Sequence, residues 1–409
     1  MTYQSPALAS PANPSSGHLL YLDSAASTPV RPEVLEAMLP YFTSVYANPS
    51  GHHAGGFRAN AAIEEARAQI ASVLGALKEE VVFTSGGTES INAAIKGVAF
   101  AQRDAGAGHH IVTTQIEHHA VLHSMQFLER FGFEVDYLPV DHLGRVDPAE
   151  VVEAVRPDTV LVSVMYANNE VGTIQPLAEI ASGLRRRATE LGTRIPFHTD
   201  AVQAANALPL DVDALGVDLL SLSGHKFGGP KGTGVLYLRR DVPYLEQMSG
   251  GGQERQRRSG TENTPGIVGI SRALVLAQAE RAEFSRRSAQ LRDRLLEGIR
   301  RLLPDAILNG HPAERLPNNV HVCIPGVEGE AVVTALDRAG IACSAGAACT
   351  SATWEPSHVL LAMNVPLELA IGSVRMSTWP TMTDAEVDRV IESLPAVVAR
   401  LRAAGAPAL

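Results

Sequence analysis

The chain has 409 residues, 45% of them hydrophobic, with 34 basic against 44 acidic side chains and a net charge of −10. That length accommodates two domains or one large domain with a satellite, and the acidic balance argues against nucleic acid as a main partner. Three cysteines without paired spacing make no disulfide framework, and no apolar run reaches membrane-spanning length, so a reduced, cytoplasmic setting is expected.

The opening "MTYQSPALASPANPSSGHLL" lacks the basic start and apolar core of a signal peptide. Its Pro, Ser and Ala content predicts a disordered leader over 1–18. A large domain follows over 19–265, whose first stretch, from Tyr21 to Ala47, packs with either domain. Beyond residue 80, short β-branched runs alternate with helix-like stretches such as "SINAAIKGVAFAQ" and "PLAEIASGLRRRATEL". The runs are "EVVFT", "HIVTT", "FEVDYL", "TVLVSVM", "IPFHT" and "DLLSLS". Such alternation predicts an α/β fold with a mainly parallel sheet and helices on both faces. A seventh run, "GTGVLYLRR", follows with little room for a crossover helix and is expected to run antiparallel.

Next comes the glycine- and arginine-rich "GGGQERQRRSGTEN", oddly basic in an acidic chain. Residues 266–409 are expected to form a linking helix and a smaller α/β domain. That domain has strands "NNVHVCI" and "GSVRMSTW", helices "EAVVTALDRAG" and "DAEVDRVIESLPAVVARLRAA", and a mobile loop around "CSAGAACTSAT".

Polar clusters stand at the C-terminal ends of the predicted strands: "TSGGTES", "IEHHAV", "ANNEVG", "HTDAVQ" and "SGHKFG". Open parallel sheets bind ligands there, so five clusters in register predict one crevice. In the first, two glycines open a helix whose free N–H groups, with the Thr88 and Ser90 hydroxyls, suit a phosphate. The cluster is neither a P-loop nor a dinucleotide fingerprint. Asp200 reads equally as the partner of a protonated pyridine nitrogen or as a helix N-cap. His118 and His119 open a helix-like stretch, where an imidazole offers both a flat stacking face and an acid–base group. None of the histidine pairs has a zinc-site spacing, and no metal is expected. Lys226 follows its strand directly, whereas Lys231 lies five residues on in a turn that points it outward. Lys226 is therefore the candidate Schiff-base lysine of a pyridoxal 5′-phosphate enzyme.

With "YLDSAASTPV", "FTSGGTES", "EHHAVL", "NNEVG", "DAVQ", "SGHKFGGPKG", "RSGTEN" and "ACTSATWEPSHVL" in order, the chain resembles the NifS/IscS-type cysteine desulfurases from Tyr21 to about residue 400. These are class V aminotransferases among the fold-type I pyridoxal-phosphate enzymes. The resemblance implies a seven-stranded large domain, and a homodimer that takes L-cysteine to L-alanine and an enzyme persulfide. It implies that Lys226 carries the cofactor, and that Gly87, Thr88, Ser223 and His225 hold its phosphate, with Thr261 from the neighbouring subunit. Asp200 pairs with the ring nitrogen, Gln203 touches the ring hydroxyl, and His118 stacks on the ring and moves protons. Asn169, beside the cofactor, and Arg375 hold the substrate carboxylate. Cys349 takes the sulfur and passes it to an acceptor protein of unknown identity, such as an iron–sulfur scaffold or tRNA-thiolation protein.

Ala345 and Ala347 stand where the family often has serine, and the tail "RLRAAGAPAL" is shorter than in scaffold-feeding relatives. The alternatives are an aminotransferase or selenocysteine/cysteine lyase of the same fold, with Cys349 incidental, and a non-catalytic sulfur carrier. Cys323, inside a strand, and Cys343, at a strand end, are expected to be inert.

Overall fold

Strand β1 (Leu20–Tyr21) and helices α1 (Pro32–Met38) and α2 (Ala54–Leu74) begin the computed structural model, which describes residues 19–345 and 356–405. Then come β2 (Val81–Thr84), α3 (Gly87–Asp104), β3 (His110–Thr114), α4 (His119–Glu129), β4 (Glu134–Leu138) and β5 (Thr159–Ser163). After these lie α5 (Leu177–Leu191), β6 (Phe197–Asp200), β7 (Leu219–Ser223) and β8 (Gly234–Leu238). The strands pair in the order β2-β8-β7-β6-β5-β3-β4, parallel throughout except for β8, which runs antiparallel to both neighbours. Every residue of β3, β5, β7 and β8 is buried. A sheet covered on both faces explains why these strands are buried at every position rather than at alternate ones.

Two helices follow, α6 (Thr264–Ala279) and α7 (Arg281–Leu302), where the sequence reads as one continuous helical stretch. Glu280 breaks it, with φ −95° and ψ 3°. Ile267, Ile270, Leu274 and Ala277 of α6 join the apolar cluster around β6 and β7, whereas Leu291, Leu295 and Ile299 of α7 join a separate cluster. One straight helix does not serve two cores, and the bend lets each half bury its own stripe. The second cluster surrounds a four-stranded antiparallel sheet in the order β12-β13-β10-β9. Its strands are β9 (Ile307–Leu308), β10 (Asn319–Cys323), β12 (Ser344–Ala345) and β13 (Ser373–Ser377). It packs with helices α8 (Gly329–Asp337) and α9 (Asp384–Ala403), the latter opened by a Thr383–Glu386 capping box.

The segment from Leu20 to Met38 belongs to both units. β1 pairs in parallel with β11 (Ile341–Ala342), and Leu20 and Leu22 lie in the second core. Val34 and Met38 lie in the first. Residues 23–28 cross between them as a strap over the C-terminal edge of the large sheet.

Candidate active site

The strand ends of β2, β3, β5, β6 and β7 open into one cavity of about 410 Å³. Gly87, Thr88, His118, Asn169, Asp200, Gln203, Ser223, His225, Lys226 and Arg375 all line it, one or more from each of the five sequence clusters. Gly87 begins the 18-residue α3, so the free N–H groups of a helix start face this space. A Cβ on Gly87 would stand 2.9 Å from Val202 Cγ2 and 3.2 Å from Ser223 Cβ. Glycine here lets the helix start approach the β6 and β7 loops.

Lys226 sits in a single 3₁₀ turn directly after β7. Its Nζ donates to the Ala25 carbonyl at 2.7 Å and to the Ala26 carbonyl at 2.8 Å, and Asn206 Nδ2 holds the Lys226 carbonyl at 2.8 Å. Burial, assisted by the Arg375 charge, pulls the amine down to about 8, against the attraction of Asp200 and Asp23. A fraction of the neutral, nucleophilic amine is therefore present near neutral pH. Lys231 is exposed.

Asp200 ends β6 fully desolvated, and burial pushes its carboxyl up to about 6 despite the Val202 N–H bond at 2.9 Å and the Lys226 charge. No α-helix follows it, so the cap reading gives way: the bond to Val202 is a local turn, and the carboxylate lines the cavity. His118 is instead the N-cap of α4, its Nδ1 accepting the Ala120 N–H at 3.0 Å. That bond places the neutral ring's proton on Nε2. Burial, with Lys226 next, pushes this imidazole down to about 4, so it is neutral at pH 7. Burial and Lys226 likewise take His225 to about 4.

Arg375, on β13 of the small sheet, reaches the same cavity. Its Nη1 donates to the Asn169 carbonyl at 2.9 Å and its Nη2 to Asp23 Oδ1 at 2.9 Å. Gln203 Nε2 donates to the Ala25 carbonyl at 3.0 Å, and His225 Nδ1 lies 3.3 Å from Ser27 Oγ. The strap thus touches the lysine, the histidine, the glutamine and the arginine.

Thr261, expected to serve a neighbouring subunit, does not line the cavity of its own chain. Thr261 lines a separate one of about 200 Å³ with Thr84, Glu254, Arg258 and Asn263. Its loop is anchored by a buried pair in which Arg67 Nη1 and Nη2 donate to the two Glu254 oxygens at 2.7 and 2.8 Å. Glu254, Arg255 and Gln256 all have positive φ, between 49° and 63°, a strained run that the buried pair holds in place. Cys349 lies outside the described residues. Cys323 and Cys343 are both buried and free, and burial pushes their thiols up to about 11 and about 12, which leaves them poor nucleophiles.

The histidine-rich pairs separate into structural roles. Buried His110 bonds Thr159 Oγ1 and Asp136, and buried His198 bonds Ser163 Oγ and Ser221 Oγ. Among the described residues no group of His, Cys, Asp and Glu is arranged to hold a metal ion, and no helix is long and apolar enough to cross a membrane.

Sequence reasoning assigned no role to Asp23, to the Ala25 and Ala26 carbonyls, or to Glu117. Glu117 is fully buried: Oε1 accepts the Met165 N–H and the Thr114 hydroxyl, each at 2.8 Å, and Oε2 has no hydrogen-bond partner among the described residues. Burial pushes it up to about 8. Its backbone carbonyl accepts His358 Nε2–H at 2.9 Å, tying the segment beyond Cys349 to the His118 turn. "YLDSAAST" and "EHHAV" carried these residues in plain sight, but apart from Thr114 their partners lie 48 to 352 positions away.

The aminotransferase class-V family model matches residues 20–390. The chain is 52% identical to a cysteine desulfurase IscS of Methanosarcina thermophila, over 94% of this chain and 93% of that protein. It is 47% identical to the one of Dictyoglomus turgidum, over 94% and 95%. Among solved structures it resembles a NifS-like protein with TM-score 0.87 and 39% identity, covering 94% of this chain and all of that one. It also resembles SspA in complex with cysteine, with TM-score 0.75 and 38% identity, covering 89% of this chain and all of that one.

Proposed function

The chain belongs to the class-V aminotransferase family and, within it, to the cysteine desulfurases, and from that premise we propose how its residues divide the work. It is a pyridoxal-phosphate enzyme that removes sulfur from L-cysteine and leaves L-alanine. The cavity suits the cofactor. The desolvated Asp200 carboxylate calls for a cation, which a protonated ring nitrogen supplies. The α3 start with Thr88, Ser223 and His225 offers donors to a dianion. Bound pyridoxal phosphate supplies the electron sink for breaking the C–S bond.

The observation that carries the reading is a partly buried Lys226, its amine lowered to about 8, in one cavity with Asp200 and Arg375. Lys226 would hold the cofactor, and its amine, seated on the Ala25 and Ala26 carbonyls, would exchange protons there. Asp200 would keep a ring nitrogen protonated. His118 would face the ring and present its Nε2 hydrogen, and Gln203 would contact the ring hydroxyl. Arg375 and Asn169 hold the substrate carboxylate. Cys349 attacks the substrate sulfur as a thiolate, forming an S–S bond while the C–S bond breaks, and so keeps the sulfur as a persulfide.

The holoenzyme is a homodimer in this reading. Thr261 does not reach the cavity of its own chain, which fits a loop that serves a second copy. The persulfide is handed to an acceptor protein such as an iron–sulfur scaffold or a tRNA-thiolation protein, in a reducing cytoplasm that leaves buried thiols free. The test is L-cysteine turnover without reductant, followed by intact mass and peptide mapping. Added sulfur should map to Cys349, vanish in Cys349→Ser with the yellow cofactor retained, and persist in Cys343→Ser. Full alanine production by Cys349→Ser would sink the persulfide route in favour of direct lysis.

A further inference from the structure

Asp23 stands where both domains meet the cavity. Its Oδ1 takes one corner of the Arg375 guanidinium at 2.9 Å, and the Asn169 carbonyl takes another at 2.9 Å. The third guanidinium nitrogen, Nε, is buried and has no hydrogen-bond partner among the described residues. A buried unpaired guanidinium N–H is costly in a finished structure, and is sensible where a ligand brings the acceptor.

Asp23 is itself rigidly placed. It forms a parallel bridge with Ser377, two residues beyond Arg375 on β13. Ser24 Oγ donates to the Ser377 and Thr378 carbonyls at 3.2 and 3.0 Å, and Ser377 Oγ accepts the Ala25 N–H at 2.8 Å. The Asp23 carboxylate is ion-paired with Arg375 at 2.9 Å, and the Lys226, Tyr21 and Cys343 side chains are near enough to feel its charge. Its bond to Arg375 crosses 352 residues of sequence and reads out the docking of the strap on the small sheet.

We propose that Asp23 is a positioning residue that pins Arg375 in the one orientation that receives the carboxylate of an amino-acid substrate. The inference rests on the reading that Arg375 holds that carboxylate. Arginine has a long side chain with many rotamers, and a guanidinium fixed beforehand loses less freedom when the ligand arrives. Asp23 thereby acts on binding rather than on bond breaking.

The test uses the holoenzyme with Asp23→Ala and Asp23→Asn. Calorimetry measures the affinity for L-alanine, which does not turn over, beside KM and kcat for L-cysteine. With Asp23→Ala, L-alanine affinity should fall and KM should rise together by about 3–10-fold, the cost of ordering one such side chain, with kcat little changed and the cofactor absorbance kept. Asp23→Asn should recover most of the loss, because its amide oxygen still accepts the Nη2 hydrogen. Binding of cysteamine, which has no carboxylate, should not change. In an Arg375→Ala background, Asp23→Ala should add nothing. An equal loss for cysteamine, or unchanged or tighter L-alanine binding in Asp23→Ala while Arg375→Ala weakens it, would overturn the proposal. If Arg375→Ala itself leaves L-alanine affinity intact, the carboxylate reading fails first and takes the proposal with it.

Discussion

At one end of the cavity, Gly87, Thr88, Asp200, Ser223, His225 and Lys226 each stand at or within a few residues of a strand terminus in the large sheet. At the other end, Asn169 follows β5, Arg375 rises from the small sheet, and Asp23 comes from the strap, 352 residues from its partner. The first group is an automatic product of parallel strands, whose C-terminal edges bring their loops together. Of the second, Asn169 is also a large-sheet residue, but Arg375 and Asp23 meet it only when the small sheet docks and the strap closes across both. The cofactor end should therefore tolerate disturbance of the small domain, whereas the carboxylate end should not.

The largest effect should come at the cofactor end. Lys226→Ala should purify colourless under a protocol that strips loosely held cofactor, and turnover should fall by at least about 10²–10⁴-fold, the range for losing an acid–base group. Lys231→Ala should keep both colour and turnover. Retained colour in Lys226→Ala would remove the lysine from its role.

Arg375→Lys separates the two ends. The lysine keeps the charge but loses the fork that reaches Asn169 and Asp23 at once. Losing a charged hydrogen bond of about 1.5–3 kcal/mol should raise KM for L-cysteine by about 10–100-fold. The absorbance and cofactor affinity should stay native. Cofactor loss in this variant would show that the two ends are not independent.

The smallest effect concerns Glu117, buried beside the His118 turn. The Glu117 carboxyl is raised from the ordinary 4.5 to about 8 by burial, so the folded protein holds a proton that the unfolded chain releases. Its contribution to stability is fully present below pH 4.5, declines as pH rises, and is gone above about 8. Glu117→Gln keeps an acceptor for Met165 and Thr114 and does not ionise. Its unfolding free energy relative to the native protein, followed through the melting temperature, should therefore improve steadily from pH 5 to about 8, by an amount on the order of a few kcal/mol. A pH-independent difference would mean that Glu117 is ionised in the fold.

Much of this was legible from residues alone because it is local. The reversal of β8 followed from the short link after "SGHKFGGPKG". The preference for Lys226 over Lys231 followed from distance to the strand end, and the structure leaves Lys231 exposed. The break at Glu280 was not legible, because "LAQAERAEF" is made of good helix formers, and only the demands of two cores bend it there. Glu117 reads as a surface acid at a helix start, and nothing in "EHHAV" announces that the segment after β5 pairs with it through the Met165 N–H.

What the sequence determined by itself is the order of strands and helices and the set of groups at each strand end. Those follow from side-chain periodicity and backbone restriction, which act over a few residues. What only the tertiary structure decided is who pairs with whom across the strap: Lys226 with the Ala25 and Ala26 carbonyls, Arg375 with Asp23, and Gln203 with Ala25. These bonds join residues 178 to 352 positions apart. Closing such loops has an entropic cost that no local pattern encodes, and packing of the two apolar cores is what meets it.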